Sequence, residues 1–248
     1  MCMSRIREKD SYLLEHSLNV AILLANFANQ LGLKDNQVQE LALSGFLHDI
    51  GKINIPDAIL HKPGRLTDDE MLVMRKHVQY GIDVLLEMDI ASSIVRTIGE
   101  HHERLDGLGY PKQRKGSEIS LYGRMIAIAD TYDAITANRC YKAGMPSKKA
   151  LQILLKDSPL KYDKELVLQF VKSVGIYPVG TLVRLDNEKL AMVLQQHKVE
   201  SNKPKVKVFY SVRGHHYLSP SDIDLAAPSC RINILEAASA SDYNLEFN

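Results

Sequence analysis

The chain has 248 residues, 45% of them hydrophobic, so it can bury a sizeable core as one large domain or as one domain with an appendage. Its 31 basic residues nearly balance its 30 acidic residues, which argues against duplex nucleic acid or an anionic membrane surface as a partner. No apolar run approaches the roughly 20 residues of a membrane span, and three widely separated cysteines indicate free thiols, so we expect a cytoplasmic protein.

Helical spacing of apolar residues predicts two helices at the start of the chain. The first begins near Ser11 and carries His16 in its first turns. The second ends at His48 and Asp49, before Gly51. Either histidine alone would be interpreted as a hydrogen-bonded core residue, but the two together favour a site.

A loop is predicted next, because residues 55–65 contain two prolines and a glycine. Thr67 and Glu70 form a capping box that starts the following helix. His77 is expected near the end of that helix.

A further helix over residues 91–102 is expected to present His101 and His102 in its last turn. Adjacent helical residues diverge by about 100°, so both imidazoles reach one ion only where the helix ends. The glycine-rich residues 103–111 then have the composition of a loop that closes over a site. Without the histidine pair, a plain connecting turn would be the default interpretation.

Ser120 leads the next predicted helix, whose apolar face is interrupted by Asp130 and Asp133. These carboxylates are three residues apart and therefore lie on the same side, where they need a cation or hydrogen-bond donors. Arg139 and Lys142 follow, and they either contact a phosphate or a purine edge or form a solvated face.

The pattern changes after about residue 175. Helices over 147–156 and 163–174 are followed by a strand-turn-strand pattern over 181–194 and a third strand over 205–211. We expect the chain after Ser239 to be frayed. The predicted fold is mainly α, a helical domain over 1–175 with a small β-rich appendage and polar tail over 176–248.

The residues singled out along the helical part share one chemistry, since imidazole and carboxylate groups bind borderline or hard divalent cations. A single His-Asp pair arises often by chance, but seven such residues recur within 115 positions. The sequence therefore predicts a metal site formed by His16, His48, Asp49, His77, His101, His102 and Asp130.

Together these motifs resemble the HD-GYP family, bacterial metallophosphodiesterases of the wider HD superfamily. The resemblance covers about residues 12–175. Besides His16 and His77, its ordered motifs are His48-Asp49-Ile50-Gly51-Lys52, residues 62–67, residues 101–111 with Gly109-Tyr110-Pro111, and residues 129–134. It implies an HD-type all-helical bundle that binds two or three iron, manganese or similar ions. The implied substrate is cyclic di-GMP or a related cyclic dinucleotide such as 3′,3′-cyclic GMP-AMP.

The resemblance also implies residue roles. One ion would bind His16, His48, Asp49 and Asp130, and the other Asp49, His77, His101 and His102. A hydroxide shared by the two ions would attack phosphorus, with Asp49 as the bridging ligand. Lys52 would stabilise the phosphate, and Asp133 would orient the hydroxide or the leaving oxygen. The implied substrate contacts are Arg139, Lys142, Gly109 and Tyr110.

Three positions depart from the family pattern. Tyr12 stands where three-ion members have a glutamate, and a neutral phenol is a poor ligand, so we predict two ions. Iron or manganese is favoured, with nickel, zinc or magnesium as alternatives. Leu105 replaces an aromatic residue and Cys140 a proline, and both bear on base preference.

Two functional classes remain at this point, a working phosphodiesterase and a catalytically silent cyclic-dinucleotide receptor. Every ligand position is filled, which favours the enzyme, because a receptor does not need an activated water. A homodimer, a signalling-protein partner and a sensor module outside this chain are left open.

Overall fold

A computed structural model describes residues 11–137, 144–197, 200, 202–243 and 245. Arg139, Cys140 and Lys142 lie outside the described residues. The described chain divides into two compact units, one within residues 1–145 and 149–173 and the other within 146–148 and 174–248. The first is helical and the second contains a β-sheet, so the prediction of a mainly α fold with a small β appendage is confirmed.

Most consecutive helices are joined by short connections, and a 3₁₀ helix over Ile50–Asn54 follows the second of them. The α-helices are α1 Ser11–Gln30, α2 Asp35–Leu47, α3 Asp57–Leu60, α4 Asp68–Arg75, α5 His77–Glu87, α6 Ser92–Glu100, α7 Leu121–Thr136, α8 Ser147–Asp157 and α9 Lys164–Val174. Among the described residues, no helix is both long and apolar enough to cross a membrane.

Helix α7 is the central element of the helical unit. Residues 125–130 are buried without interruption, so the helix is covered on every side, and it packs against α1, α2 and α6. Beside it, one hydrophobic cluster joins α1, α2, α5 and α6. Its buried members are Leu13, Leu47, Ile50, Leu85, Ile94, Val95 and Ile98.

The predicted helix starts are confirmed at two caps. The Glu70 amide donates to Thr67 Oγ1 at 3.3 Å, and the Thr67 amide donates to the Glu70 carboxylate at 2.8 Å. Ser120 Oγ accepts from the Gly123 amide at 3.0 Å and caps α7.

One expectation about the segment between α2 and α5 was wrong. The predicted loop contains the single-turn helix α3, whose first bonds run to the Pro56 carbonyl from the amides of Ile59 and Leu60. His77 lies just after the end of α4, close to where it was expected, and it also begins α5. At this break between the two helices, His77 Nδ1 donates to the Met74 carbonyl at 2.7 Å.

The second unit is built on a five-stranded antiparallel sheet in the order β4-β3-β2-β1-β5, with two more strands than expected. The strands are β1 Leu182–Leu185, β2 Lys189–Gln195, β3 Lys205–Ser211, β4 His216–Asp224 and β5 Ile234–Ala237. The sequence missed β4 and β5 because both are edge strands with little buried surface, so neither shows an apolar alternation. Pro220 in β4 is compatible with an edge position.

The end of the chain is more ordered than the sequence indicated. A 3₁₀ helix spans Ala240–Tyr243, and Leu245 is buried in a cluster with Leu182, Leu190 and Tyr210. The expectation of a frayed tail from Ser239 is therefore wrong for the described residues. Ala240 and Tyr243 pack against the same cluster, and composition alone does not reveal these contacts.

Gly51 is the point of closest approach between the 3₁₀ helix and α5. A Cβ atom at Gly51 would collide with the His77 carbonyl oxygen and the Gly81 amide nitrogen, which are backbone atoms and cannot rotate away. From the other side, a Cβ on Gly81 would meet Gly51 N at an ordinary 3.5 Å. The contact therefore requires a glycine at position 51 only.

We expect Gly51→Ala to destabilise the protein by about 3 kcal/mol, the upper end of the usual cost of overpacking. Gly81→Ala is the matched control and should be neutral or stabilising by about 0.5–1 kcal/mol, because alanine is the better helix former. Urea unfolding of both variants tests this. Equal midpoints for Gly51→Ala and the wild type would contradict the close-approach interpretation.

Candidate metal centre

The seven predicted ligands meet inside the helical unit. His16 comes from α1, Asp130 from α7, and the others stand at helix ends, where the backbone can direct side chains inward. All are buried except His102, which is partly exposed. The ligands form two groups, His16 with His48 and Asp130, and His77 with His101 and His102, and within each group the ligand atoms lie within 4.8 Å of one another.

The first group places imidazole nitrogens around one carboxylate. His16 Nε2 lies 3.2 Å from His48 Nε2 and 3.1 Å from Asp130 Oδ1. His48 Nε2 lies 3.7 Å from the same Asp130 oxygen. Three donor atoms at such separations can surround a single ion after small adjustments.

The second group consists of histidines alone. His77 Nε2 lies 3.3 Å from His101 Nε2, and the rings of His101 and His102 are 4.0 Å apart. The helix ends at Glu100, so His101 and His102 are no longer held at helical spacing. The prediction that both imidazoles would turn to one side at the end of this helix agrees with this geometry.

Asp49 lies between the two groups. Its Oδ2 is 3.3 Å from His48 Nε2 and 3.6 Å from His16 Nε2, while its Oδ1 is 3.4 Å from His77 Nε2. Each carboxylate oxygen thus faces a different group. Asp49 Oδ1 is buried and accepts no hydrogen bond, a costly arrangement for a charged oxygen that a bound cation would relieve. The donor set and this oxygen fit a pair of divalent cations.

Three of the histidines are oriented by their own helices. His48, His77 and His101 each donate from Nδ1 to the carbonyl oxygen three residues earlier, at 2.7, 2.7 and 2.5 Å. A carbonyl oxygen can only accept, so Nδ1 carries the proton in each case. Nε2 of each ring therefore faces the site, and in the neutral imidazole it carries the lone pair that metal ligation requires.

The fourth oriented histidine is His16, whose Nδ1 lies 2.6 Å from Asp133 Oδ2. A carboxylate on the far nitrogen fixes the ring and makes Nε2 a stronger ligand. Asp133 was expected to orient the hydroxide or the leaving oxygen. In the structure one of its oxygens is engaged by His16 instead.

The charges of the site divide the histidines into two kinds. Burial lowers the pKa of His77 to about 4 and the pKa of His101 below its usual range, so both are neutral at pH 7. Burial also opposes protonation of His48, but the charge of Asp49 and the hydrogen bond to Asp130 outweigh it and raise the His48 pKa to about 10. A cation entering the first group must therefore displace a proton.

Lys52 is the cation next to the ligands. Its Nζ lies 2.5 Å from Asp49 Oδ2, and its side chain remains 20% exposed. Burial opposes ionisation of Asp49, but the charges of Lys52 and His48 overcome it and hold the Asp49 pKa well below its usual range. The carboxylate is therefore ionised, and an ammonium group stands at the edge of the site.

The loop over residues 103–111, which contains Gly109, Tyr110 and Pro111, is held more firmly than its glycine-rich composition indicated. The buried Glu103 carboxylate accepts from the amides of Lys112 and Arg114 at 2.7 and 2.9 Å. A Cβ on Gly109 would come within 2.6 Å of the His102 carbonyl oxygen, so the loop packs directly on the backbone of the histidine pair. The Tyr110 amide also donates to that carbonyl at 3.1 Å.

Tyr110 covers one side of the second histidine group. Its ring is 4.6 Å from the His102 ring and 6.4 Å from the His77 ring. Burial and the nearby charges of Asp49 and Asp130 raise the pKa of the Tyr110 hydroxyl, so it stays protonated. Tyr12 stacks on His16 with the ring planes 6° apart and the centroids separated by 6.1 Å.

Sequence reasoning missed three residues near the site. Glu103 anchors the loop, and Glu100 accepts from Ser120 N at 2.9 Å and so joins the ends of α6 and α7. The third is Arg75, whose guanidinium lies 4.9 Å from the Tyr110 ring centroid. Glutamates flanking the histidine pair were a usable signal for the first two, whereas nothing in the sequence links Arg75 to Tyr110.

Known proteins resemble this chain over much of its length. The family model described as HD domain matches residues 1–166. The Pseudomonas aeruginosa protein named cyclic di-GMP phosphodiesterase PA4108 is 41% identical over 246 residues, which are 98% of this chain and 59% of that protein. The Vibrio cholerae 3′3′-cGAMP-specific phosphodiesterase 3 is 38% identical over 170 residues, which are 68% of this chain and 37% of that protein.

The fold has a counterpart among solved structures. The HD domain of the Listeria monocytogenes phosphodiesterase PgpH superposes with a TM-score of 0.53 at 16% identity, covering 69% of this chain and 94% of that one. At this identity the likeness concerns the fold alone. The chain spans less than two thirds of the length of the two curated relatives described above.

The loop anchor gives a prediction. We expect Glu103→Gln to lose one of the two hydrogen bonds to the backbone, because the side-chain NH₂ group would face a backbone N–H and both groups are donors. The local cost should be about 1–3 kcal/mol. Hydrogen exchange of the Lys112 and Arg114 amides should then accelerate roughly ten- to hundredfold. Glu118→Gln is the control, since exposed Glu118 accepts from the Lys115 amide at 2.8 Å. Unchanged exchange in Glu103→Gln would show that the loop does not depend on this carboxylate.

Proposed function

The chain belongs to the HD domain family, and from that premise we propose that its helical unit is a metal-dependent phosphodiesterase acting on a cyclic dinucleotide. The observation that carries the proposal is Asp49, buried with one oxygen toward each of two histidine groups. The names of the P. aeruginosa and V. cholerae relatives support the substrate class, cyclic di-GMP or 3′3′-cGAMP.

We assign two divalent cations to this site, with iron or manganese favoured by a mixed imidazole and carboxylate donor set. His16, His48 and Asp130 would hold one, and His77, His101 and His102 the other, with Asp49 shared. Such cations supply Lewis acidity, which activates water for attack on phosphorus and neutralises charge on the phosphoryl oxygens. The residue that stacks on His16 is Tyr12, and a phenol, with an unperturbed pKa of about 10, is a poor ligand at neutral pH, which supports two ions over three.

The protein's own groups then have separate tasks. Asp133 positions His16, and the backbone carbonyls position the other three oriented histidines, so only small adjustments would bring their nitrogens around the ions. Lys52 carries a partly exposed positive charge beside Asp49 and would stabilise negative charge on the phosphoryl group. Tyr110, kept neutral, can donate a hydrogen bond without adding charge.

The remaining assignments complete the proposal. Residues 1–175 would carry the activity, and residues 176–248 would form a β-rich appendage. Arg139 and Lys142 stay predicted substrate contacts, while the tight packing of Gly109 supports a role in docking the loop. The absence of a disulfide pattern among three cysteines supports a cytoplasmic location.

The direct test incubates purified protein, loaded with manganese or ferrous iron, with cyclic di-GMP, 3′3′-cGAMP and cyclic di-AMP. Chromatography should resolve linear dinucleotide or mononucleotide products from at least one substrate. Binding without turnover would instead support a receptor. If the metal-loaded protein neither binds nor cleaves any of the three cyclic dinucleotides, the proposal is refuted.

Metal analysis provides a second test. We expect two ions per wild-type chain and the loss of at least one in Asp49→Ala, because the two groups would no longer share an anionic ligand and the cations would repel each other. His61→Ala, which changes an exposed histidine in the segment before α4, is the control and should retain both. If Asp49→Ala keeps two ions and full turnover, Asp49 is not a ligand that the two ions share.

A third test concerns Lys52. Lys52→Ala should lower kcat roughly 100- to 1000-fold with little change in KM, because its charge is required mainly as negative charge develops in the transition state. Lys62→Ala serves as the control, since Lys62 pairs with Glu70 at 2.6 Å outside the ligand set. If Lys52→Ala raised KM and left kcat intact, Lys52 would be a binding residue instead.

A further inference from the structure

Arg75 is a cation at the rim of the metal centre that the proposed mechanism does not use. It is the last residue of α4, immediately before the segment that delivers His77, and its side chain is exposed. Its guanidinium carbon lies 4.9 Å from the centroid of the Tyr110 ring. The same ring lies 4.6 Å from the His102 ring, so a single aromatic side chain separates Arg75 from the second histidine group.

The charge of Arg75 is not neutralised within the described part of the chain. No carboxylate of the described residues lies within ion-pair distance of its guanidinium, whereas Arg96, Arg104 and Arg124 each pair with one. Contact with an aromatic ring orients a guanidinium but does not cancel its charge. A planar fork of donors, held in place on Tyr110 and open to solvent, is suited to a phosphate.

The substrate class supplies an anion that needs such a partner. A cyclic dinucleotide contains two phosphodiester groups, and only one of them can occupy the metal centre while it is cleaved. The other keeps its negative charge and must lie outside the centre, within the length of one nucleoside. Lys52 cannot bind both phosphodiester groups, because its Nζ is held at Asp49, inside the metal centre.

We propose that Arg75 binds the phosphodiester that is not being cleaved, and thereby favours substrates with two phosphodiester groups over simple diesters. This inference rests on the proposed function. Tyr110 would act in it as the surface that orients the guanidinium. The competing interpretation is that Arg75 only holds Tyr110, and through it the loop, in position.

Steady-state kinetics on two substrates separate these interpretations. Wild type, Arg75→Ala and Arg75→Lys are compared on cyclic di-GMP and on bis(4-nitrophenyl) phosphate, which has a single diester. Loss of a charge-assisted bond should raise KM for cyclic di-GMP by about tenfold or more, and this loss should exceed that on the small diester by a similar factor. Arg75→Lys should lie between wild type and Arg75→Ala, because lysine keeps the charge but not the fork.

Lys76→Ala is the matched control, because Lys76 is an exposed cation at the next position, at the start of α5. It should behave as wild type on both substrates.

Each remaining outcome overturns the inference. Equal losses on both substrates would show that Arg75 acts by positioning Tyr110, and no loss on either would show that it has no role in binding. These outcomes are distinct from failure of the proposed function. If the wild type cleaves bis(4-nitrophenyl) phosphate but neither cleaves nor binds any cyclic dinucleotide, both the substrate assignment and the Arg75 inference are wrong.

Discussion

The helical unit depends on the burial of one ionised carboxylate, that of Asp49, between two groups of imidazoles. A buried charge is tolerated only where opposite charge and hydrogen bonds surround it. Lys52 and His48 supply opposite charge next to Oδ2 of Asp49, whereas Oδ1 accepts no hydrogen bond. The close contact of Gly51 with α5 fixes the distance between Asp49 and His77, so the packing of two helices and the geometry of the site are one constraint.

Much of the site could be predicted from the sequence, because its signals are local. Histidine and aspartate at helix ends, a capping box at Thr67 and two carboxylates three residues apart on an apolar helix are each visible within a few residues. The structure brings all seven predicted ligands together, six of them in two groups and Asp49 between the groups. What the residues alone could not give is the pairing of ligands across the chain, which depends on tertiary packing.

The differences between expectation and structure have physical causes of the same kind. The helix that begins at His77 was not predicted, and at its start the His77 side chain bonds to the Met74 carbonyl, a contact that no propensity scale includes. Strands β4 and β5 lack alternation because edge strands need not bury a face. The loop after His102 is rich in glycine, yet Glu103 holds it through two backbone amides. Glycine there permits close packing and does not indicate mobility.

The three histidine bonds to main-chain carbonyls have an evolutionary consequence. Because the acceptor is the backbone, no side-chain substitution at positions such as Met74 or Ile98 can delete it. Residues under the ligands can therefore diverge to suit the core while the imidazoles keep their orientation. His16, in contrast, depends on the carboxylate of a single side chain. Sequence drift would therefore disable the centre more readily at Asp133 than at any carbonyl that orients the other three ligands.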